Sequence, residues 1–145
     1  MIAVDTNILV HAHREDSPWH DAATACLNRL AGQRWAIPWP CVHEFLAIVT
    51  HPRIFDPPSP LEEALLAVES WISLPTVLFL SEVEGYGEVL ASLLRDAGVV
   101  GPRIHDARIA ALCKLHAVGE LWTADRDFSR FTGLTTRNPL AEVQS

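Results

Sequence analysis

Apolar positions along this chain come in short runs that alternate between two periods. Ile2-Ala3-Val4 is a continuous apolar run that leads into Asp5, and the pattern predicts a first strand over about residues 2–10. Ser17-Pro18 then signals a helix over about 18–31, with Ser17 as cap, Pro18 in the first turn and Gly32 past the end. Trp35 to Trp39 reads as a short strand bounded by Pro38 and Pro40. Cys41 to Thr50 reads as a helix, because Val42, Phe45, Leu46 and Val49 recur at helical spacing. Ser59-Pro60-Leu61-Glu62 resembles a capping box opening a helix to about Ser73, and Asp56-Pro57-Pro58-Ser59-Pro60 reads as a rigid turn before it. Thr76 to Leu80 is an apolar strand. Ser81-Glu82-Val83-Glu84 suggests a second capping box and a helix to about Asp96, followed by Gly98. Arg103 to His116 is a further helix, then come a strand at 120–124, a turn at 125–131 and a last strand near Leu134–Arg137. Strands alternating with helices predict an α/β fold. Its central, mostly parallel sheet has four or five strands, with helices on both faces.

The chain has 145 residues, about one ordinary domain, and we expect a single domain over 1–145. A hydrophobic content of 49% is enough for a core and excludes a disordered polymer. Three cysteines, Cys26, Cys41 and Cys113, form no C-x-x-C pair, which fits a reducing compartment. No apolar stretch approaches the roughly 18 residues that span a bilayer, and no basic leader precedes an apolar segment. The expected location is the cytoplasm, with no membrane partner.

A net charge of −7 argues at first against a polyanionic ligand. The distribution changes that picture. Residues 1–100 carry 5 basic and 13 acidic side chains, whereas residues 101–145 carry 6 basic and 5 acidic ones. Arg103, Arg108, Lys114, Arg126, Arg130 and Arg137 could therefore meet phosphates locally.

Four acids stand out by position. Asp5 and Asp125 lie at strand ends, while Glu44 and Asp106 fall in the first turns of helices. Helix N-termini favour negative charge, so each acid has an innocent explanation when taken alone. Together they lie where strand ends meet helix starts, at one edge of an α/β layer, which is where ligands bind in such sheets. Crowded carboxylates repel one another, and a hard cation relieves that repulsion. No P-loop, G-x-G-x-x-G or Ser/His/Asp triad is evident.

Four ordered segments carry a family resemblance. They are Val4-Asp5-Thr6-Asn7-Ile8-Leu9-Val10, Val42-His43-Glu44-Phe45, His105-Asp106-Ala107-Arg108-Ile109-Ala110-Ala111-Leu112, and Leu121-Trp122-Thr123-Ala124-Asp125-Arg126-Asp127-Phe128. The chain resembles PIN-domain proteins, and specifically VapC-type toxin ribonucleases, over essentially its whole length. The resemblance implies an endoribonuclease dependent on Mg2+ (or Mn2+), an RNA substrate of the tRNA or rRNA class, a VapB-type antitoxin and a homodimer. It implies Asp5 and Asp106 as direct metal ligands. Glu44 would complete the shell or orient a water, and Asp125 would be the fourth acid, often acting through water. Thr6, Asn7 and Thr123 would support the cluster. Asp127, two residues beyond Asp125, could face the same side of an extended segment, but it is expected to cap the turn entering Phe128–Phe131.

Other chemistries compete. A zinc reading rests on His11-Ala12-His13, but nothing nearby completes a set of three or four ligands. An aspartate at a strand end could be a phosphate-accepting nucleophile, yet Asp5-Thr6-Asn7 lacks the second aspartate two residues on and no strand-end lysine is evident. A catalytically silent module binding RNA or a partner on the same fold is the remaining alternative. His105 could touch a phosphate, and Trp19 and Trp39 could be partner contacts or simply core.

Overall fold

The computed structural model describes residues 1–143. Five short strands, β1 (Ile2–Val4), β2 (Trp35–Pro38), β3 (Val77–Leu80), β4 (Glu120–Trp122) and β5 (Thr136–Arg137), pair in the order β3-β2-β1-β4-β5, and every pairing is parallel. Seven helices connect or flank them: α1 (Thr6–His13), α2 (His20–Leu30), α3 (Trp39–Val49), α4 (Leu61–Ile72), α5 (Tyr86–Ala97), α6 (Ile104–Leu115) and α7 (Pro139–Val143). All four residues of β2 are buried. Successive strand residues point to opposite faces, so both faces of the sheet are covered.

The order of the strands locates the site. From β1 the chain steps outward through β2 to β3, then returns to lay β4 on the other side of β1. That reversal is a topological switch point, where a crevice opens beyond the carboxyl ends of the two central strands. Asp5 follows β1 directly, and Thr123 and Asp125 follow β4. The register Val4↔Trp122 sets those two ends side by side, and the Asp5 N–H donates to the Trp122 carbonyl at 3.0 Å.

Several local expectations are corrected. The first strand stops at Val4 and does not reach residue 10. Asp5 caps a helix instead: it is extended (φ −84°, ψ 167°) and its side chain accepts from the Thr6 N–H. Ile8, Leu9 and Val10 are buried on that helix. A short continuous apolar run has no period by which strand and buried helix can be told apart. Ser17 does not cap α2, which starts at His20. Ser59 caps nothing either, because its hydroxyl is committed to His13 (2.9 Å) and Arg14 (3.2 Å), and Pro60 precedes α4. The segment 81–84 stays outside α5, which begins after Gly85 in a left-handed turn at φ 92°. Glu82 pairs with Arg108 at 2.9 Å. Trp39 belongs to α3 rather than to the preceding strand, and α7 is an element that the apolar pattern did not predict.

The core runs through both layers, with Phe45, Ile8, Leu9, Ile37, Leu112 and Leu121 fully buried. Cys26, Cys41 and Cys113 are buried free thiols. Among the described residues no helix is long and apolar enough to cross a membrane.

Candidate active site

Asp5 is the most enclosed acid among the described residues, with 5% of its surface exposed. Burying a carboxylate is costly unless hydrogen bonds replace the lost water. Four donors converge on it. The Thr6 N–H (2.8 Å) and the Cys41 thiol (3.5 Å) donate to Oδ1, while the Thr123 hydroxyl (2.8 Å) and the Asn7 amide (3.2 Å) donate to Oδ2. They come from α1, α3 and the end of β4, so the carboxylate ties three segments together. Asn7 reinforces the tie, because its amide nitrogen also donates to the Thr123 hydroxyl (3.2 Å) and its oxygen accepts from the Ala124 N–H (3.0 Å).

The other acids gather around this node. The Thr6 hydroxyl donates to Glu44 Oε2 at 3.2 Å, drawing an otherwise exposed side chain toward the cluster. Asp106 lies in the first turn of α6. Asp125 receives its backbone geometry from Thr123, whose hydroxyl accepts the Asp125 N–H at 3.0 Å. Asp5, Thr6, Asn7, Glu44, Asp106 and Asp125 line one cavity of about 180 Å³, with Val10, His11, Ile48 and Ile109 as its apolar and aromatic wall.

The electrostatics follow from this crowding. Burial pushes Asp5 above the usual carboxylate range, against the lowering effect of the Thr123, Thr6 and Cys41 hydrogen bonds, and the Asp125 charge adds to the rise. Partial burial raises Glu44, and the Asp5 and Asp106 charges raise it further. Asp106 is raised by burial and then by Asp125, Asp5 and Asp127, with Arg103 opposing. Among the described residues, no ion pair involves Asp5, Glu44, Asp106 or Asp125. An all-oxygen donor set with mutually repelling charges, none of the four acids held in an ion pair among the described residues, suits a hard divalent cation. Asp106, Asp125 and Asp127 each place an oxygen within 4.8 Å of the others, the one such group of three among the described residues.

Asp127 differs from the expectation. The cap of the 126–130 turn is Asp125, whose Oδ1 accepts the Asp127 N–H at 2.8 Å. Asp127 itself faces Arg103, with Nη1 and Oδ2 2.8 Å apart. That contact is an ion pair with poor hydrogen-bond alignment, since the same buried Nη1 makes no hydrogen bond. His11 and His13 do not converge as zinc ligands would. On a helix residues two apart diverge, and His11 is bonded to Ser17 Oγ (2.7 Å) whereas His13 faces Ser59 and the Phe45 ring.

Three contributors escaped the sequence reading. Cys41 stands three positions before Glu44, a spacing that shares a helix face, so the signal was present. His11 stands four after Asn7 and becomes visible only once residues 6–13 are known to be helical. Arg103 precedes Asp106 by three residues, and its contact with Asp127 is a tertiary one that a basic residue's position in the sequence does not reveal. A larger cleft of about 470 Å³ around His13, Arg14, Asp16 and Glu63 lacks comparable chemistry. Arg14 there is fully engaged with Asp16, Ser59, the Pro57 carbonyl and the Phe55 ring.

Comparison with known proteins gives a consistent picture. The PIN domain family matches residues 2–134. Ribonuclease VapC48 of Mycobacterium tuberculosis is 33% identical over 139 residues, covering 94% of this chain and 96% of that protein. VapC ribonuclease Mb2897 of Mycobacterium bovis is 33% identical over 142 residues, covering 97% of this chain and 96% of its own. In solved structures the fold recurs in VapBC2 from Rickettsia felis, bound to a DNA fragment from its promoter. The TM-score is 0.69 at 21% identity, over 95% of this chain and 98% of that one.

Proposed function

The chain belongs to the PIN domain family, and from that premise we propose that it is the toxin of a type II toxin–antitoxin pair, a VapC-type endoribonuclease that hydrolyses RNA phosphodiester bonds. One observation carries the chemistry: four acids from four separate segments line a single cavity at the switch point of the sheet. Whole-length relatives that are ribonucleases support the substrate class.

In this reading Asp5 and Asp106 would hold magnesium or manganese directly, Glu44 would complete the set or orient a water, and Asp125 would be the fourth acid, acting through water. Such an ion supplies Lewis acidity at the phosphate and lowers the pKa of a water it holds. The chain does the rest. Thr123 and Asn7 fix one oxygen of Asp5, the Thr6 N–H fixes the other, and the Thr6 hydroxyl aims Glu44 into the cavity. Such supporting bonds hold ligands at the geometry an ion requires. Asp5 as a phosphate-accepting nucleophile fits less well, since Asp5-Thr6-Asn7 lacks a second aspartate two residues on.

The expected partner is a VapB-type antitoxin, and the expected assembly a homodimer. The test is direct. Purified protein with magnesium or manganese cleaves a tRNA or rRNA fragment, chelation stops it, and Asp5→Asn abolishes it. Cleavage that survives Asp5→Asn would place the chemistry elsewhere. Co-expression with a VapB-type protein that leaves cleavage unchanged would remove the toxin–antitoxin assignment.

A further inference from the structure

Trp19 is an exposed indole, 39% accessible, at the start of α2, and its side chain caps nothing. It is nevertheless held in place. The His11 ring lies 5.2 Å away, tilted 55° to the indole. Ser17 Oγ is 2.7 Å from His11 Nδ1 and accepts the Trp19 backbone N–H at 3.1 Å. His20 Nδ1 lies 3.0 Å from the His11 carbonyl oxygen. Two aromatic rings are thus fixed beside each other before any ligand arrives, which lowers the ordering cost of binding.

A cavity of about 320 Å³ opens against them, lined by His11, Trp19, Ala124, Asn138, Leu140 and Ala141. Among the described residues no Asp, Glu, Lys or Arg stands in that wall, so none of them offers a counter-charge to a phosphate or a metal ion. A flat, uncharged ligand with a polar edge does find partners. The rings offer faces for stacking. Asn138 Oδ1 already accepts the Leu140 N–H at 3.1 Å, which leaves the Asn138 amide NH2 to donate to a carbonyl oxygen or a ring nitrogen. Nucleobases have this combination of π-face and acceptor edge, and proteins read unpaired bases in this way.

Position narrows the choice further. His11 lines both this cavity and the acid cavity, and Ala124 adjoins Asp125. On the far side, a cleft of about 440 Å³ shares Glu44, Asp106 and Ile109 with the acid cavity and adds His43, His105 and Arg108. The three hollows are thus neighbours in series, the aromatic one meeting the acid cavity at His11 and the acid cavity meeting the third at Glu44, Asp106 and Ile109.

We propose that the Trp19–His11–Asn138 pocket receives one unpaired base of the RNA next to the bond that is cut, and that it sets a base preference at that position. The inference rests on the ribonuclease reading above. It implies that the cut lies in a single-stranded stretch or loop, because a paired base cannot be splayed into the pocket.

The test compares full-length wild type, Trp19→Ala and Trp19→Phe, each checked for unchanged thermal unfolding. The substrates are a short single-stranded RNA containing the mapped cut and two copies made abasic at the nucleotide on either side. Trp19→Ala should lower kcat/KM on the intact RNA by about tenfold, whereas Trp19→Phe should stay within about threefold. On one of the abasic RNAs the Trp19→Ala penalty should vanish, and Asn138→Ala should alter base preference at that same position. In an Asp5→Asn background, which binds without cutting, Trp19→Ala should weaken RNA binding by a similar factor. Equal cleavage and binding by Trp19→Ala, or a penalty that persists on both abasic RNAs, would overturn the proposal. So would intact RNA binding combined with weakened capture of a VapB-type protein, which would make the pocket a protein contact. Trp19-dependent binding of RNA that the wild type never cuts would instead remove the ribonuclease reading and leave the base pocket standing.

Discussion

The two walls of the acid cavity are built differently. On the β1–α1 side, Asp5 is enclosed and both its oxygens are held by donors from three segments. On the α6 side, Asp106, Asp125 and Asp127 are half-exposed and crowd within 4.8 Å of one another, and only Asp125 has a capping bond to a backbone N–H. One wall is preorganised by hydrogen bonds, and the other is a cluster of three carboxylates in which Asp127 meets Arg103 and Asp106 and Asp125 form no ion pair among the described residues. A cation would gain position from the first wall and charge neutralisation from the second. The contrast explains why Thr6, Asn7 and Thr123 matter although none carries charge.

The comparison can be broken by substitutions on each side. The largest effect is expected at the preorganised wall, where Asp5→Asn should reduce cleavage about 1,000-fold or more, measured with saturating manganese and a fixed RNA. Thr123→Val should come next. It removes the shortest side-chain bond to Asp5 and leaves the Asn7 amide and the Asp125 N–H without their hydroxyl partner. Metal affinity or activity should fall about 10- to 100-fold, stability by about 1–3 kcal/mol, and Thr123→Ser should restore most of both. A valine variant with wild-type metal affinity would show that the hydroxyl does not position Asp5.

The charge-cluster wall should respond in the opposite sense in one respect. Asp106 carries a raised pKa in the folded chain because burial and the Asp125, Asp5 and Asp127 charges disfavour its ionised form. A folded-state acid with a raised pKa binds more protons than the unfolded chain above the ordinary carboxylate range, so it loses stability as pH rises there. In metal-free buffer at neutral pH, Asp106→Asn should therefore melt higher than wild type, by about 1 kcal/mol or less after solvent screening. The advantage should shrink as the buffer is acidified toward the ordinary carboxylate range and the wild type regains its proton. Taking the difference between the two proteins cancels His11 and His13, whose burial-lowered values act in the opposite direction. A pH-independent difference would mean that repulsion is not what the variant relieves. The smallest effect is expected at Asp127. It is already paired with Arg103, and Asp127→Asn should change cleavage by no more than about fivefold.

Much of this contrast was legible in the chain, though unevenly. The four acids were found because each lies at a junction that an α/β pattern marks: Asp5 after an apolar run, Glu44 and Asp106 early in helices, Asp125 after Leu121-Trp122-Thr123. What stayed hidden was the bonding that distinguishes the walls. Reading residues 2–10 as one strand hid α1, and with it the face that sets Asn7 beside Thr123 and His11 over the cavity. Ser59 looked like a cap because a capping box is a local pattern, whereas its hydroxyl is claimed by His13 and Arg14 from a helix some 45 positions away. The turn cap falls to Asp125 rather than Asp127 for a similar reason, since spacing alone does not say which of two carboxylates receives the turn N–H and which meets Arg103.

The central claim is that Asp5, fixed by its hydrogen bonds, anchors a divalent cation among the four acids. Titration of manganese into the metal-free protein by calorimetry, for wild type and Asp5→Asn side by side, tests it most directly. Wild type should bind manganese saturably, and the variant should lose at least about tenfold in affinity. Equal affinity in the two proteins, or no binding to the wild type, would contradict it.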